Sequence, residues 1–393
     1  MNKIFTYLHL RDVGLLELTF ALTPMMSGFG FAGLPLSALM WMLLLLIVVT
    51  QCRQLKLKSF LPLTMFVGYW GFHELVIMFV DNTNLNGLIV HTLYFFSIFV
   101  LYHQMNFNKL CGSSNWVALI AIMGLLWQWG DVMHGNGVHP LEIPGLSMSE
   151  YRLNTSLLRP SSFFMEPAAY VAYMMCPLSL ALMERKYLWA VIMILSIFFT
   201  TSTTGIFISF VMLAMSLIAN RIKARSVITI SVLIFCLFFA LTHFQVFDAG
   251  IKKLENTNTE TNVRLNQGPY IVSTMHVTEY IFGVPYSSSY NYCKAGRATN
   301  VAYYDDSVYM STFWLLILRY GIIGLLLYLN IYWHIIQRSR QTLPLITCLC
   351  IVMFSSGYGI QSTYIFTLIF LLIIALNDQR TNKSKHRLMM KYK

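Results

Sequence analysis

Charged residues are scarce in this chain. Of its 393 residues, 11% are Asp, Glu, Lys or Arg and 57% are hydrophobic, and the mean hydropathy is +0.61. A soluble globular domain needs a solvated surface and carries about 25% charged residues. The composition therefore excludes an ordinary soluble domain and predicts a polytopic, all-α membrane protein.

Several sequence motifs that are typical of metal-binding and ATP-binding proteins are also absent. The chain has no Cys-x-x-Cys pair, no His-Glu-x-x-His and no Walker phosphate loop. These are the strongest sequence signals for structural zinc, catalytic zinc and ATP. We therefore expect a protein that works without a cofactor and without a metal ion.

The cysteines argue against a disulfide framework. There are seven of them, an odd number, and most fall within apolar segments or beside basic clusters. The net charge of +11 is likewise spread in short clusters between apolar segments. Such clusters face the anionic surface of a membrane rather than a nucleic acid, so we expect membrane lipids and no nucleic acid among the partners.

The lengths of the apolar segments predict the number of membrane spans. A hydrocarbon core about 30 Å thick requires roughly 20 apolar residues per helix. On that basis the sequence predicts about twelve transmembrane helices in one integral membrane domain, residues 1–393. They cover residues 13–31, 34–51, 59–80, 87–104, 116–133, 166–183, 188–201, 204–220, 226–244, 308–331, 342–358 and 360–376.

The distribution of basic residues predicts the orientation. With the N-terminus in the cytoplasm, all but eight of the 27 Lys and Arg residues lie on the cytoplasmic side or in the N-terminal segment, as the positive-inside rule requires. Both termini are then cytoplasmic, and residues 377–393 form a basic cytoplasmic tail. The two long polar connections, 134–165 and 245–307, become external loops, the second of them partly helical.

The segment from Arg159 to Pro167 places charge where a polar loop turns into an apolar helix. It reads Arg-Pro-Ser-Ser-Phe-Phe-Met-Glu-Pro, with Glu166 just before a proline that suits the first helical turn. Aromatic residues flank the two charges, which indicates a polar site set into a membrane surface. The alternative is an ordinary interfacial helix start with a satisfied glutamate.

Four arginines are predicted to lie outside, against the topological rule: Arg152, Arg159, Arg264 and Arg297. The planar fork of arginine binds phosphate and carboxylate groups through two parallel hydrogen bonds. Arginines on two external loops therefore predict an anionic ligand such as a lipid diphosphate, held by Arg159 and Arg264 with Arg297 as a further candidate. The alternative is that these arginines pair with acidic residues of the same loops.

The second external loop carries a candidate acid–base pair. Residues 262–280 have helical spacing, interrupted by Gly268 and Pro269, so the helix is expected to begin only after Pro269. His276 and Glu279 are three residues apart and would share a helix face. They could act as a base with an orienting carboxylate or form a surface contact.

Acidic and basic residues also occur next to and inside the predicted spans. Asp305 and Asp306 precede the tenth span, where an aspartate can cap a helix or belong to a site. Glu17, His73, Glu74, His91 and Arg319 lie within predicted spans. Such residues are costly in a membrane unless they face a cavity or a partner, so each is expected to have one.

These features coincide in one family. Arg159-Pro-Ser-Ser-Phe-Phe-Met-Glu166-Pro167 resembles the Arg-x-x-Ser-Phe-Phe-x-Glu-Pro signature of O-antigen and capsule polymerases (Wzy-type), relatives of the O-antigen ligases. Asp306-Ser-Val-Tyr309 and Leu318-Arg-Tyr-Gly321-Ile-Ile-Gly324 resemble the segment after the family's large external loop. The polar turn from Thr200 to Gly205 also lies where these proteins have a small hairpin. The resemblance covers about residues 150–330.

The resemblance implies a glycosyltransferase with a GT-C-like membrane fold. It would join undecaprenyl-diphosphate-linked oligosaccharide units, for O-antigen, lipopolysaccharide or capsule, on the outer face of the bacterial inner membrane. Glu166 or Asp306, or the His276 pair, would accept or orient the proton of the acceptor hydroxyl, and a chain-length regulator is a possible protein partner. The ligase branch has a His-Asn pair where this chain has Asp306-Ser307. Two alternatives stay open: an O-antigen ligase, and a transporter or flippase of lipid-linked saccharide.

Overall fold

The computed structural model describes residues 8, 10–31, 34–51, 60–81, 85–148, 159–220, 232, 263–297, 310–356 and 362–391. Within them the chain is mostly helical. The helices are α1 Leu15–Leu22, α2 Leu36–Gln51, α3 Leu61–Asp81, α4 Leu85–Gln104, α5 Phe107–Met133, α6 Pro167–Met183, α7 Tyr187–Phe199, α8 Thr203–Asn220, α9 Val263–Ser273, α10 Val277–Phe282, α11 Ser289–Lys294, α12 Thr312–Arg338, α13 Leu343–Ser355 and α14 Ser362–Lys391. Short 3₁₀ turns lie at Met25–Gly28 and Arg340–Thr342.

Among the residues that the structure describes, four helical segments are long and apolar enough to cross a membrane. They are Leu61–Val80, Phe107–Met133, Thr312–Arg338 and Ser362–Thr381. Six shorter apolar helices accompany them within the described ranges. This content agrees with a helical membrane protein. The predicted span 226–244 lies outside the described residues apart from Val232.

The first predicted span, 13–31, is wrong as a single helix. Helix α1 ends at Leu22, and the chain continues through the 3₁₀ turn into strand β1, Phe29–Phe31. This strand pairs antiparallel with β2, Leu34–Pro35, and with β3, Ser147–Met148. Gly30 permits β1 to approach β3 closely, because a Cβ at this position would lie only 2.9 Å from the Ser147 hydroxyl oxygen. The described part of the chain is therefore helical with one small three-stranded sheet.

The glycines of this hairpin have a familiar spacing. Gly28, Gly30 and Gly33 spell Gly-x-Gly-x-x-Gly, the letters of the dinucleotide-binding fingerprint. That fingerprint works in a parallel β-α-β unit, where the glycine turn opens a helix beneath the pyrophosphate. Here the first two glycines adjoin or belong to an antiparallel strand. The match in letters is therefore not a match in structure.

Helix α5 begins at Phe107, nine residues before the predicted start. Asn106 caps it, since its side-chain oxygen accepts hydrogen bonds from the backbone N–H groups of Asn108 and Lys109. Residues 110–115 of this helix are buried, and the Asn115 side chain donates a hydrogen bond to the Leu8 carbonyl oxygen of the N-terminal segment at 2.8 Å. Hydropathy alone missed the first turns because they carry polar residues, and Ser113, Ser114 and Asn115 are nevertheless buried.

Tight helix packing positions the loops. Helix α12 lies against α3, α10, α13 and α14, while α8 packs on α13 and α6. Gly205 allows the α8–α6 approach, because a Cβ there would lie 2.6 Å from a methyl carbon of Val171. Helix α6 is buried along most of its length. The segment that leads into α6 is consequently fixed by the core.

Candidate functional site

The segment Arg159–Pro167 is held in place by Gln128 of helix α5. The Gln128 side-chain oxygen accepts hydrogen bonds from the backbone N–H groups of Ser161, at 3.0 Å, and Ser162, at 2.8 Å. Its amide nitrogen donates to the His139 carbonyl oxygen at 2.9 Å. Gln128 is buried, so one side chain joins two parts of the predicted first external loop to α5.

Two residues near this segment adopt the left-handed backbone conformation that disfavours side chains. Ser162 has a φ of 56° and Thr201, in the turn between α7 and α8, has a φ of 54°. A guanidinium nitrogen of Arg159 lies 3.4 Å from the Thr201 carbonyl oxygen. Strained non-glycine residues concentrate at functional sites, so the two turns that meet at Arg159 form the candidate site.

The turn between α7 and α8 has its own hydrogen bonds. The Thr200 hydroxyl donates to the Ile197 carbonyl oxygen at 2.6 Å, and the Ser202 hydroxyl accepts from the Gly205 N–H at 3.3 Å. Helix α7 ends at Phe199 and α8 starts at Thr203. The short polar turn predicted between these two helices is therefore confirmed, and it packs beside the Arg159 segment.

Glu166 is the N-cap residue of α6. Its backbone is extended, with φ −150° and ψ 161°, and Pro167 occupies the first turn. Its carboxylate does not cap the helix, and within the described ranges no hydrogen bond or ion pair engages it. The side chain is half-buried. A carboxylate with unused acceptor capacity at the start of a buried helix can accept a proton or hold a hydroxyl group.

The aromatic residues of this segment serve the core rather than a membrane surface. Phe164, Tyr170 and Tyr173 are fully buried. The Phe164 ring centroid lies 5.5 Å from that of Tyr170 and 5.4 Å from that of Tyr173. The sequence interpretation of these aromatics as an interfacial rim is therefore corrected: they anchor the segment between Arg159 and Glu166.

The predicted second external loop contains α9, α10 and α11. Helix α9 runs from Val263 to Ser273, so the expectation that it begins only after Pro269 is wrong. Packing against α12 explains the difference. A Cβ at Gly268 would lie 2.5 Å from a ring carbon of Trp314, so the glycine allows α9 to pack directly on α12. Arg264 lies in the first turn of α9, and its side chain lies outside the described part of the structure.

His276 and Glu279 are arranged as a helix cap. His276 is the N-cap residue of α10, and the Glu279 carboxylate accepts a hydrogen bond from the His276 backbone N–H at 2.9 Å. His276 is exposed. The carboxylate thus holds the backbone of His276, and the proposed acid–base role of the pair remains a prediction.

The remaining candidates lie farther along the second loop. Arg297 is exposed and follows α11, whose Tyr292 side chain is buried. Burial raises the pKa of the Tyr292 hydroxyl above its usual value. Asp306 and Arg152 lie outside the described residues. The structure therefore brings Arg159 to the α7–α8 turn, with Glu166 farther along the same segment, and it packs α9 and α10 against α12.

Two partners of functional interest were missed by the sequence interpretation. The Arg319 guanidinium lies 2.8 Å from the Glu74 carboxylate, which also accepts from the Tyr320 hydroxyl at 2.8 Å. Each charge was expected to have a partner, but nothing in the sequence paired them. Gln128 was missed altogether, although a lone amide in an apolar helix is a signal that could have found it.

Metal ligation finds no support in the described part of the chain. No group of three or more His, Cys, Asp or Glu side chains converges there as a metal site requires. Comparison of the chain with family models, with characterised proteins and with solved structures finds no match. Function must therefore be argued from the site itself and from the sequence resemblance.

Proposed function

We propose that this protein is a metal-independent glycosyltransferase that polymerises undecaprenyl-diphosphate-linked oligosaccharide units into O-antigen or capsular polysaccharide. The observation that carries the proposal is that one short segment contains both Arg159, whose guanidinium contacts the Thr201 carbonyl oxygen of the strained α7–α8 turn, and Glu166, whose carboxylate has no partner among the described residues. This is the chemistry that the resemblance to Wzy-type polymerases requires. The helical membrane architecture is compatible with it.

The proposed reaction transfers a glycosyl group between two lipid carriers. An acceptor hydroxyl oxygen attacks the anomeric carbon of the donor sugar, and the new glycosidic C–O bond forms with inversion. The bond between that carbon and the carrier diphosphate breaks, and the diphosphate leaves with the electron pair. Glu166, or alternatively Asp306 or His276, accepts the hydroxyl proton. Arg159, Arg264 and Arg297 stabilise the negative charge that develops on the leaving diphosphate.

The energetics of this reaction suit a protein without a nucleotide-binding motif. The sugar–diphosphate bond supplies the driving force, so ATP is not needed. Placing the reaction on the outer face of the bacterial inner membrane requires both termini in the cytoplasm and loops 134–165 and 245–307 outside. We include this orientation, the about twelve spans and the GT-C-like arrangement in the proposal, on the basis of the distribution of basic residues.

The direct test is a reaction in detergent with purified protein and purified lipid-linked single repeat units. We expect products of two or more units and release of undecaprenyl diphosphate, both lost in a variant that lacks the Arg159 and Glu166 side chains. A transporter or flippase would leave the units unjoined. A ligase is distinguished in cells, because deletion of a ligase leaves lipid-linked polymer whereas deletion of the polymerase leaves single units only.

A further inference from the structure

Helix α12 is interrupted inside an apolar segment long enough to cross a membrane. Gly321 has φ 65° and ψ −174°, which is not helical. A break of this kind leaves backbone groups without helical partners, and in lipid each unsatisfied group is costly. The loop after α10 supplies one partner, because the Val284 N–H donates to the Leu318 carbonyl oxygen at 2.8 Å.

A tyrosine of helix α3 joins the same junction. The Tyr69 hydroxyl lies 2.8 Å from the Phe282 carbonyl oxygen and 3.0 Å from the Tyr320 carbonyl oxygen. The end of α10 and the break in α12 are thus bound to one side chain. The break and the loop are consequently one structural unit rather than two neighbouring features.

Two glycines make this close approach possible. A Cβ at Gly321 would lie 2.2 Å from the Ile281 carbonyl oxygen, and a Cβ at Gly283 would lie 2.2 Å from the Arg319 carbonyl oxygen. The same Cβ at Gly283 would lie 2.6 Å from His73 Nε2 on α3. The turn after α10 therefore touches both α12 and α3 at the level of the Glu74–Arg319 ion pair.

The depth of the Glu74–Arg319 ion pair in the membrane follows from the other ends of its two helices, where α3 begins and α12 ends. There the Arg338 guanidinium carbon lies 4.4 Å from the Phe60 ring centroid, and a charged helix end belongs at a membrane boundary. With a rise of about 1.5 Å per residue, Glu74 lies about 21 Å from Phe60, and Arg319 about 28 Å from Arg338. Since the hydrocarbon core is about 30 Å thick, the ion pair lies in its far third.

Helix α10 presents apolar side chains at this depth. Val277 is 76% exposed, Ile281 38% and Phe282 56%. Next to it, α3 presents Phe72, 69% exposed, and Phe79, 81% exposed. Phe72 directly precedes His73, which the Gly283 turn approaches. The exposed apolar side chains of α10 therefore lie beside a helix, α3, that is long and apolar enough to cross a membrane and also exposes aromatic side chains.

We propose that α10 and the turn through Val284 form a re-entrant membrane segment whose exposed apolar side chains contact acyl chains of the leaflet farther from Phe60 and Arg338. The opposite side of the segment covers the Glu74–Arg319 ion pair and keeps lipid away from it. The cap at its start fits this location, because the Glu279 carboxylate gives the His276 backbone N–H a hydrogen-bond partner within the protein. This inference does not depend on the proposed enzymatic function.

Spin labels measure the depth of the segment directly. The full-length protein is reconstituted in phosphatidylcholine–phosphatidylglycerol vesicles, and nitroxides are attached to Val277→Cys and Ile281→Cys. Phe79→Cys serves as the lipid-facing control and Lys294→Cys, exposed on α11, as the control for a loop residue outside the proposed segment. The unaltered chain, labelled identically, gives the background of its seven native cysteines. Collision with oxygen and with a water-soluble nickel chelate is then compared.

We expect Val277→Cys and Ile281→Cys to match Phe79→Cys, with a ratio of oxygen to nickel accessibility several-fold above that of Lys294→Cys. A ratio equal to that of Lys294→Cys would overturn the proposal, since the segment would then lie in water. Protection from both reagents would also overturn it, because a protein partner or a second copy would then cover α10. Cross-linking of the unaltered chain by a diazirine-bearing phospholipid, with adducts mapped to residues 277–282, provides the same decision without any substitution.

Discussion

Glu74 and Arg319 form an ion pair with 2.8 Å between a carboxylate oxygen and a guanidinium nitrogen, although 245 positions separate them in the chain. Their side chains are 10% and 18% exposed. Tyr320 donates a second hydrogen bond to the carboxylate. The pair joins α3 to α12 just before the break at Gly321, so it links the core of the molecule to the docking position of the second loop.

Removing one member of this pair should destabilise the protein strongly. Breaking a buried ion pair costs about 3–5 kcal/mol because the remaining charge is uncompensated. We expect both Glu74→Gln and Arg319→Met to lower the apparent melting temperature in detergent. The double variant should lose less than the sum of the two single losses, since residues in contact are not additive. Strict additivity would show that the two charges do not depend on one another.

The break in α12 should require glycine. Gly321 has a backbone conformation that costs other residues about 1–3 kcal/mol, and its Cβ would meet the Ile281 carbonyl oxygen. Gly321→Ala should therefore lower the melting temperature and expose the second loop to limited proteolysis. Gly71→Ala is the matched control, because its Cβ would meet nothing within 4 Å and a helical Gly→Ala change stabilises by roughly 0.5–1 kcal/mol. Equal behaviour of the two variants would contradict the assigned backbone at Gly321.

Gln128 should be indispensable for the Arg159–Pro167 segment. Gln128→Ala leaves the N–H groups of Ser161 and Ser162 without their acceptor, and each unsatisfied buried group costs about 1–3 kcal/mol. We expect a lower melting temperature together with loss of polymerisation, because the segment that carries Arg159 and Glu166 loses its anchor. Gln337→Ala, at an exposed position near the end of α12, is the control and should change neither property.

Glu166→Gln separates a chemical role from a structural one. The amide keeps the size of the side chain and cannot accept a proton as a base. We expect normal expression and melting temperature with a rate reduced by about 10²–10⁴, the usual contribution of general acid–base catalysis. Glu142→Gln, exposed in the same loop, should retain full activity. Loss of the folded protein on Glu166→Gln would assign the residue a structural role.

Substitution of Arg264 tests whether arginine side chains bind the leaving diphosphate. A lysine keeps the positive charge but loses the planar fork that binds phosphate through two hydrogen bonds. Arg264→Lys should therefore reduce the polymer ladder in cells nearly as much as Arg264→Ala. The reciprocal change at an exposed cation of the same loop, Lys294→Arg, should leave the ladder intact. Full activity of the lysine variant would show that the planar fork of Arg264 is not needed to bind the diphosphate.

Local sequence signals located several parts of the architecture correctly. Low charge and long apolar runs indicated a helical membrane protein, and Thr200 to Gly205 marked the turn between α7 and α8. Pro167 marked the start of α6. These features depend on composition, hydropathy and local backbone preference, which are properties of consecutive residues. The first predicted span failed because β1 is stabilised by pairing with β3, more than a hundred residues away.

The contacts that form the candidate site could not be read from consecutive residues. Gln128 binds Ser161 and Ser162 across 33 and 34 positions, and Glu74 finds Arg319 only when α3 and α12 pack. The sequence by itself determined that the chain is apolar and helical, and that charges in its spans need partners. Tertiary structure alone decided which partners they have, because a buried polar group is satisfied by whichever group the packing brings within hydrogen-bonding distance.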